Sequence, residues 1–187
     1  PDGDTGTNMS LTISAAAAEL KKKQCATVGE AAQTAASALL RGARGNSGVI
    51  LSLLFRGIAK SLKDRETIDG RDLAIALDFG VAAAYKAVMK PAEGTILTVS
   101  RLAAAQAAAA AREENAAESV LEAAIREGQE ALADTINQNP VLKKAGVVDA
   151  GGKGFLVILQ GMLDSLRGEP MPQVEEESAP ADKADFV

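Results

Sequence analysis

The first eight residues, PDGDTGTN, combine two carboxylates with two glycines and several small polar side chains. Asp2 and Asp4 stand on either side of a glycine. Such a pair on a turn can direct both carboxylates at one hard divalent cation, which prefers oxygen ligands. The alternative is an Asx-turn in which Asp4 caps the N-terminus of the following helix. The local sequence leaves both interpretations open, a metal site or a helix cap.

Three later segments have the same character: ARGNSG at 43–48, KPAEGT at 90–95 and DAGGKG at 149–154. Each joins glycine to a hydroxyl, amide or carboxylate at the start of a predicted helix. Helix N-termini carry unpaired N–H groups and a partial positive charge, so they bind anions, and glycine lets a phosphate come close. One such segment is most often only a cap. Four of them on alternate connections of an up-and-down bundle would meet at one end.

Familiar phosphate and metal motifs do not fit these segments. An EF-hand that began at Asp2 would need Glu at its twelfth position, which is Ile13, and Gly where Thr7 stands. GARGNSG lacks the Lys-Ser/Thr pair of a Walker loop, and the protein-kinase motifs are absent from the sequence. What remains is Mg²⁺ held by carboxylates and neutralising nucleotide phosphates beside helix N-termini. Phosphoryl transfer needs little beyond such positioning and charge neutralisation.

The composition excludes several other classes of protein. The 187 residues contain no histidine and a single cysteine, Cys25. This removes Ser-His-Asp and Cys-His catalysis, histidine-bound zinc, cysteine zinc clusters and an internal disulfide framework. No apolar run approaches the roughly 18 residues of a membrane span, and no signal peptide is visible. We therefore expect a cytoplasmic protein without an integral membrane segment.

The net charge of −5 is concentrated at one end of the chain. Residues 168–187 contain six acidic side chains and one lysine, whereas the rest of the chain has nineteen acidic and nineteen basic residues. A balanced body with one tyrosine and no tryptophan predicts that nucleic acid is not a partner. The acidic, proline-containing stretch 168–187 predicts a flexible linker, and 1–167 a single domain.

Periodicity along this domain predicts helices only, because alanine favours helix and the strand-forming aromatics make up just 3 % of the chain. Apolar residues recur every three or four positions in seven segments. These are 15–24, 27–43, 46–62, 71–90, 93–114, 117–138, where Pro140 ends the pattern, and one after DAGGKG. The last helix carries one apolar face, formed by Phe155, Ile158, Leu159, Met162, Leu163 and Leu166. The predicted fold is an all-α antiparallel bundle.

Four stretches of this chain, in order and spacing, resemble the nucleotide-binding domain of bacterial fatty acid kinase. They are PDGDTGTNM, ARGNSGVILS, AVMKPAEGTILTV and GVVDAGGKGFLVILQGM, and the resemblance covers residues 1–167. That domain is homologous to the L subunit of dihydroxyacetone kinase. The resemblance implies a barrel of eight antiparallel helices with Mg-ATP in loops at one end. The seven predicted helices fit it if the first helix of the family precedes residue 1.

The resemblance also implies roles for individual residues. Asp2 and Asp4 match aspartates that coordinate Mg²⁺, and a loop around the phosphates of ATP or ADP is matched by Thr5, Gly6, Thr7 and Asn8. A second phosphate-facing helix start is matched by Asn46, Ser47 and Gly48. Loops that close over the nucleotide are matched by Thr95 and by the turn from Asp149 to Gly151. The family has one further metal-side residue several positions before Asp2, and the sequence begins after it. No residue is assigned to catalysis.

The acceptor follows from the resemblance as well. Dihydroxyacetone kinases usually have histidine where Thr5 stands, so the chain is more similar to the fatty acid kinase branch. That branch is an ATP-dependent phosphotransferase that phosphorylates a fatty acid carboxylate. The acid arrives on a separate acyl-carrying fatty acid-binding protein, which docks on domains absent here. Two alternatives remain: the nucleotide-binding subunit of a glycerone kinase, and a non-catalytic helical scaffold whose polar segments only cap helices.

Overall fold

The computed structural model describes residues 4–170, and within them regular structure is entirely helical. This part of the chain forms eight helices: α1 (Thr5–Lys22), α2 (Val28–Gly42), α3 (Gly45–Ser61), α4 (Gly70–Ala87), α5 (Ile96–Glu113), α6 (Ala117–Gln138), α7 (Pro140–Ala145) and α8 (Ala150–Leu166). The all-α fold class is confirmed.

The helices pack in chain order as an antiparallel bundle. Each of α1 to α5 contacts its successor, and α8 packs against α6, α5 and α1, so the last helix lies beside the first. Gly29 at the start of α2 lies against the backbone of Leu62 at the end of α3, and Gly70 at the start of α4 lies against Ala116. The even-numbered helices α2, α4 and α6 therefore begin at one end of the bundle. We call the opposite end, where α1, α3, α5 and α8 begin, the rim.

A single apolar core runs through the bundle. Its fully buried side chains include Leu39, Leu51, Val99, Val120 and Leu159. Burying one such side chain stabilises the fold by about 1.5–3 kcal/mol before the entropy of ordering is subtracted. In residues 4–170, no helix combines the length and apolarity that crossing a bilayer requires.

Helices α3 and α4 approach most closely at a pair of glycines. A Cβ on Gly57 would collide with the carbonyl oxygen of Phe79, and one on Gly80 would stand 2.5 Å from the carbonyl oxygen of Leu54. Only hydrogen at these positions allows the two backbones to touch. The contact sets how closely α3 packs against α4.

The prediction of seven helices was wrong, because the described residues contain the short helix α7. Pro140 was interpreted as the end of the sixth helix, yet it is the first residue of the next one. Proline suits that position because the N–H it lacks has no partner there. The Asn139 side chain accepts the Val141 N–H at 3.1 Å, and Gly146 ends the helix with φ of 70°. Six residues are too few for an apolar period to show.

The predicted start of the first helix was also wrong. It was placed at residue 15, but α1 begins at Thr5. Met9, Thr12 and Ala16 are buried at helical spacing, so the apolar face continues toward the N-terminus. The glycines and hydroxyls of the opening motif hid this pattern.

The apolar face predicted for the last helix is confirmed except at its end. Phe155, Leu159 and Leu163 are buried in the core. Leu166, the last residue of α8, is however 55 % exposed. Most of the predicted linker 168–187 lies outside the described residues, so its flexibility stays a prediction.

Candidate functional site

Helices α1 and α3 begin side by side at the rim. A Cβ on Gly45, the first residue of α3, would lie 2.5 Å from Nδ2 of Asn8 in the first turn of α1. The backbone N–H of Arg44, the N-cap residue of α3, donates to Oγ1 of Thr12 at 3.1 Å. Gly45 has φ of 64°, a left-handed conformation that glycine adopts without strain. The described part of the opening motif, residues 4–8, and the segment ARGNSG are therefore neighbours.

Helix α8 connects this pair of helices to α5. A Cβ on Gly154 would stand 2.8 Å from the sulfur of Met9 on α1, which shows how closely the two helices pack. On the other side, a Cβ on Gly151 would lie 3.5 Å from Cβ of Ile96, the first residue of α5. The structure thus brings four helix starts together in the order α3, α1, α8, α5.

The start of α1 is not capped by a side chain. Asp4 occupies the N-cap position with an exposed side chain, and its carboxylate makes no capping hydrogen bond to the helix. The interpretation of Asp4 as an Asx-turn cap is therefore wrong. Thr5, Gly6, Thr7 and Asn8 were expected in a loop, but they are helical and form the first turn of α1. Asp2 lies outside the described residues.

The start of α3 is likewise uncapped. Arg44 at its N-cap position has an exposed side chain that makes no capping hydrogen bond, and the first backbone bond of the helix runs from the Gly48 N–H to the Arg44 carbonyl at 3.1 Å. Asn46 and Ser47 lie in the first turn, as the resemblance implied. The backbone N–H groups that open α1 and α3 therefore lie at two adjacent helix ends, and the N-cap side chain bonds to neither set.

The starts of α5 and α8 differ, because their own side chains cap them. Thr95 Oγ1 accepts the Leu97 N–H at 3.3 Å, and the Asp149 carboxylate accepts the Gly152 N–H at 2.8 Å. Gly151 is helical and buried in the first turn of α8. Thr95 and the turn from Asp149 to Gly151 were expected in loops over the nucleotide. In the structure Thr95 and Asp149 are N-cap residues, and Gly151 belongs to the first turn of α8.

Asp149 lies between two helix starts. The backbone N–H of Ile96, the first residue of α5, lies close to the same carboxylate. Burial raises the pKa of this carboxyl above its ordinary value of 3.8, although the N–H groups of Gly152 and Ile96 act in the opposite direction. The Gly152 amide, which this carboxylate already occupies, is less available to a phosphate than the amides that open α1 and α3.

A polar cluster on the connection before α5 was not predicted from the sequence. Thr98 Oγ1 donates to Glu93 at 2.6 Å and accepts the Gly94 N–H at 2.9 Å. Arg101 donates to the same Glu93 oxygen at 3.1 Å. The Thr98 hydrogen bond is the main reason that the pKa of Glu93 lies below its ordinary value. These residues hold the connection against α5, and no short motif indicates a pairing across five and eight positions.

The described residues can supply part of the predicted Mg²⁺ site. Between residues 4 and 170, no three carboxylate or thiol side chains gather into a metal cluster. Asp4 nevertheless suits a cation ligand, because its carboxylate is exposed at the uncapped start of α1 and is not used by the helix. It stands beside the backbone amides that open α1.

A family model described as the DAK2 domain matches residues 1–164. The chain belongs to the DAK2-domain family. This DAK2 domain is 47 % identical over 173 residues to Protein YloV of Bacillus subtilis (strain 168). The matched region covers 92 % of the chain and 31 % of that protein. It is 45 % identical over 190 residues to an uncharacterized protein of Staphylococcus saprophyticus, which covers the whole chain and 34 % of that protein.

A third relative, an uncharacterized protein of Staphylococcus aureus (strain USA300), is 46 % identical over 187 residues, again the whole chain and 34 % of that protein. The DAK2 domain thus spans about a third of the length of the relatives that it matches. The predicted kinship with the dihydroxyacetone kinase L-type domain is confirmed. The chain is a dihydroxyacetone kinase-like nucleotide-binding domain of a kinase-related family, with ATP or ADP as its implied ligand.

Proposed function

We propose that this DAK2 domain holds Mg-ATP at the rim and transfers the γ-phosphate to a fatty acid carboxylate. The observation that carries the proposal is the pair of uncapped helix starts, α1 and α3, which lie next to each other. Two adjacent N-termini add their partial positive charges, and their amides donate to the same anion. In a nucleotide-binding domain, the phosphates of ATP are the anion that such a pair of helix starts would bind.

The side chains at this pair of helix starts support a phosphate site. Gly6 has open space where a Cβ would stand, so a phosphate can approach the backbone there. The amides of Thr5, Thr7 and Asn46 and the hydroxyl of Ser47 are the donors that we assign to the phosphates. Gly48 has a different role, because a Cβ on it would lie 2.5 Å from Oγ1 of Thr12. It is required for packing α3 against α1.

We assign the metal to Asp2 and Asp4. A Mg²⁺ ion bound there would neutralise phosphate charge. The exposed Asp4 carboxylate stands at the α1 start, where it complements the helix dipole and a cation together. We place the nucleoside toward the capped starts of α5 and α8, where Thr95, Asp149 and Gly151 lie. The side-chain oxygens of Thr95 and Asp149 already accept hydrogen bonds from their own helices. These residues would therefore shape the wall of the nucleoside site more than they would contribute charge to it.

The chemistry requires little from protein side chains beyond positioning. The carboxylate oxygen of the fatty acid bonds to the γ-phosphorus while the bond from that phosphorus to the β–γ bridging oxygen breaks. ADP leaves with the electron pair, and the product is an acyl phosphate. Since the acceptor is already an anion, no general base is needed, which suits a sequence without histidine. A separate acyl-carrying fatty acid-binding protein would present the acceptor to the complete protein.

Two other functions make different predictions. A glycerone kinase would use the same nucleotide site, so only the acceptor distinguishes it. A helical scaffold explains the caps formed by Thr95 and Asp149. It gives no reason for leaving both α1 and α3 uncapped on neighbouring helices.

Calorimetric titration with Mg-ATP tests the nucleotide site. We expect binding heat from the chain, whereas a scaffold would give none. The acceptor is tested in the complete protein with hydroxylamine, which converts an acyl phosphate into a hydroxamate. Hydroxamate formed from ATP and a protein-bound fatty acid would support the proposal. ATP consumption with dihydroxyacetone and none with the fatty acid would favour the glycerone kinase.

A further inference from the structure

Three buried threonines near the rim share one hydrogen-bond pattern. Thr12, Thr98 and Thr135 are 0 %, 1 % and 0 % exposed. Each hydroxyl accepts a backbone N–H from the segment that opens a rim helix, and the donors are Arg44 for α3, Gly94 before α5 and Asp149 for α8. Each hydroxyl also donates to an oxygen nearby, so its hydrogen has a partner as well. A buried threonine hydroxyl thus holds each of these three rim segments in place.

Thr12 differs from the other two in the helix start that it holds. Its hydroxyl donates to the Asn8 carbonyl of α1 at 2.7 Å and accepts the Arg44 N–H of α3 at 3.1 Å. One oxygen therefore joins α1 to the N-cap residue of α3. Thr98 and Thr135 serve helix starts that Thr95 and Asp149 already cap.

We propose that Thr12 is a positioning residue that holds the uncapped starts of α1 and α3 together as one phosphate-binding site. This inference rests on the proposed function. Without the hydroxyl, the Arg44 N–H loses its partner, and the α3 start is free to move away from α1. The amides of the two helices then no longer converge on the same anion. Thr12 itself lies too deep to touch the ligand, because it is fully buried beneath Asn8 and Gly48.

Two substitutions separate this role from packing. Thr12→Val keeps the shape of the side chain but removes the hydroxyl, whereas Thr12→Ser keeps the hydroxyl and removes a methyl group from a buried site. If Thr12 only fills space, Thr12→Val is the milder change, because it keeps the volume of the side chain. If Thr12 positions the helix starts, Thr12→Ser is the milder change, because it keeps the hydroxyl. Thr34→Val is the matched control, because Thr34 is also buried but lies on α2 and bonds no rim segment.

The measurement is Mg-ATP affinity by calorimetry, at a temperature where circular dichroism shows each variant to be folded. We expect Thr12→Val to lose about tenfold or more in affinity, while Thr12→Ser and Thr34→Val stay within about twofold of the parent. Equal affinity of Thr12→Val and the parent, or a larger loss for Ser than for Val, would overturn the proposal. A parent chain that binds no Mg-ATP would instead refute the proposed function.

Amide hydrogen exchange in the parent covers the case in which Thr12→Val does not fold. If the Thr12–Arg44 bond must be closed for binding, saturating Mg-ATP must slow exchange at the Arg44 amide. The reference is the Gly29 amide, which donates to the Arg65 carbonyl at 2.9 Å at the opposite end of the bundle. We expect a clearly greater slowing at Arg44 than at Gly29. The same slowing at both amides would show that ligand only opposes global unfolding, and the inference would fail.

Discussion

Asp4 and Asp149 occupy the same N-cap position on two rim helices, yet their carboxylates have different surroundings. The Asp4 side chain is exposed and makes no capping bond to α1. The Asp149 side chain is half-buried and accepts the Gly152 N–H at 2.8 Å. A carboxylate without such a bond can bind a cation at little cost to the fold, whereas one that caps a buried helix start cannot. Residue type alone does not distinguish them, because both are aspartates before glycine-containing turns.

Replacing both Asp2 and Asp4 by Asn should weaken Mg-ATP binding without unfolding the domain. Asn keeps the size of the side chain but removes the negative charge that a hard divalent cation requires. We expect affinity to fall about tenfold or more, equivalent to about 1.4 kcal/mol, in calorimetric titrations. Stability without ligand should stay within about 1 kcal/mol of the parent, since Asp4 makes no capping bond.

A charge-matched control makes this result specific. Asp78→Asn combined with Glu130→Gln removes two exposed carboxylates that lie away from the rim. The control should bind Mg-ATP as the parent does. Equal affinity in the Asp2 and Asp4 variant would refute the metal assignment, whereas equal losses in both variants would indicate a general charge effect.

Asp149 should give the stability of the domain a distinctive pH dependence. Its pKa is raised in the folded state by burial, so the folded protein holds this proton more tightly than the unfolded chain. The resulting stabilisation is complete below the unfolded pKa and is lost as pH rises through the folded pKa. Asp149→Asn removes the titration but retains capping capacity. We expect the parent to gain stability relative to this variant when denaturant unfolding is repeated at about pH 4 instead of pH 7. A constant difference would contradict the raised pKa.

At the scale of helices, the sequence predicted interiors better than boundaries. The apolar period of α8 identified Phe155, Leu159 and Leu163 as core residues because burial of one face is what makes such a helix stable. The start of α1 was missed because glycine and hydroxyl residues resemble a loop. Helix α7 was missed because Pro140 both ends one helix and begins another. At such boundaries the local sequence is compatible with a cap, a turn or a helix. Tertiary packing then determines which of them forms.

The glycines at the α3–α4 contact provide an element-scale test. Gly57→Ala should destabilise the domain by about 1–3 kcal/mol, because the added methyl group would meet the Phe79 carbonyl oxygen across the contact. Gly161→Ala is the matched control, since it is also inside a helix but has open space around it. Replacing glycine by alanine there should stabilise by about 0.5–1 kcal/mol. Urea unfolding of both variants measures the difference, and a neutral Gly57→Ala would show that α3 and α4 separate easily.

At the scale of the whole molecule, the candidate site depends on how the chain is arranged. The sequence indicated that four polar segments begin alternate helices, and antiparallel packing then predicts one shared end. It could not show that α1 and α3 are neighbours, since Asn8 and Gly45 meet only because α1 packs against α3 as well as α2. Nor could it show which starts are capped. Asp149 accepts the Gly152 N–H and so caps α8, whereas Asp4 at the same position of α1 makes no such bond.

Two truncations test where the folded unit ends. A chain that stops after Pro170 should melt at nearly the same temperature as the parent. It retains all eight described helices and the ion pairs of Arg167 with Glu118 and Glu122. The removed residues are acidic and contain too few apolar side chains to stabilise a core. A chain that stops after Ile158 loses the second half of α8.

The second truncation should abolish cooperative melting. It removes Leu159 and Leu163, each at most 3 % exposed, and each such loss from a core costs about 2–5 kcal/mol. Together they approach the total stability of about 5–15 kcal/mol that is usual for a domain. Calorimetric scans of both chains separate the possibilities. A large drop in melting temperature for the chain ending at Pro170 would mean that residues 171–187 pack against the bundle, and the linker prediction would then be wrong.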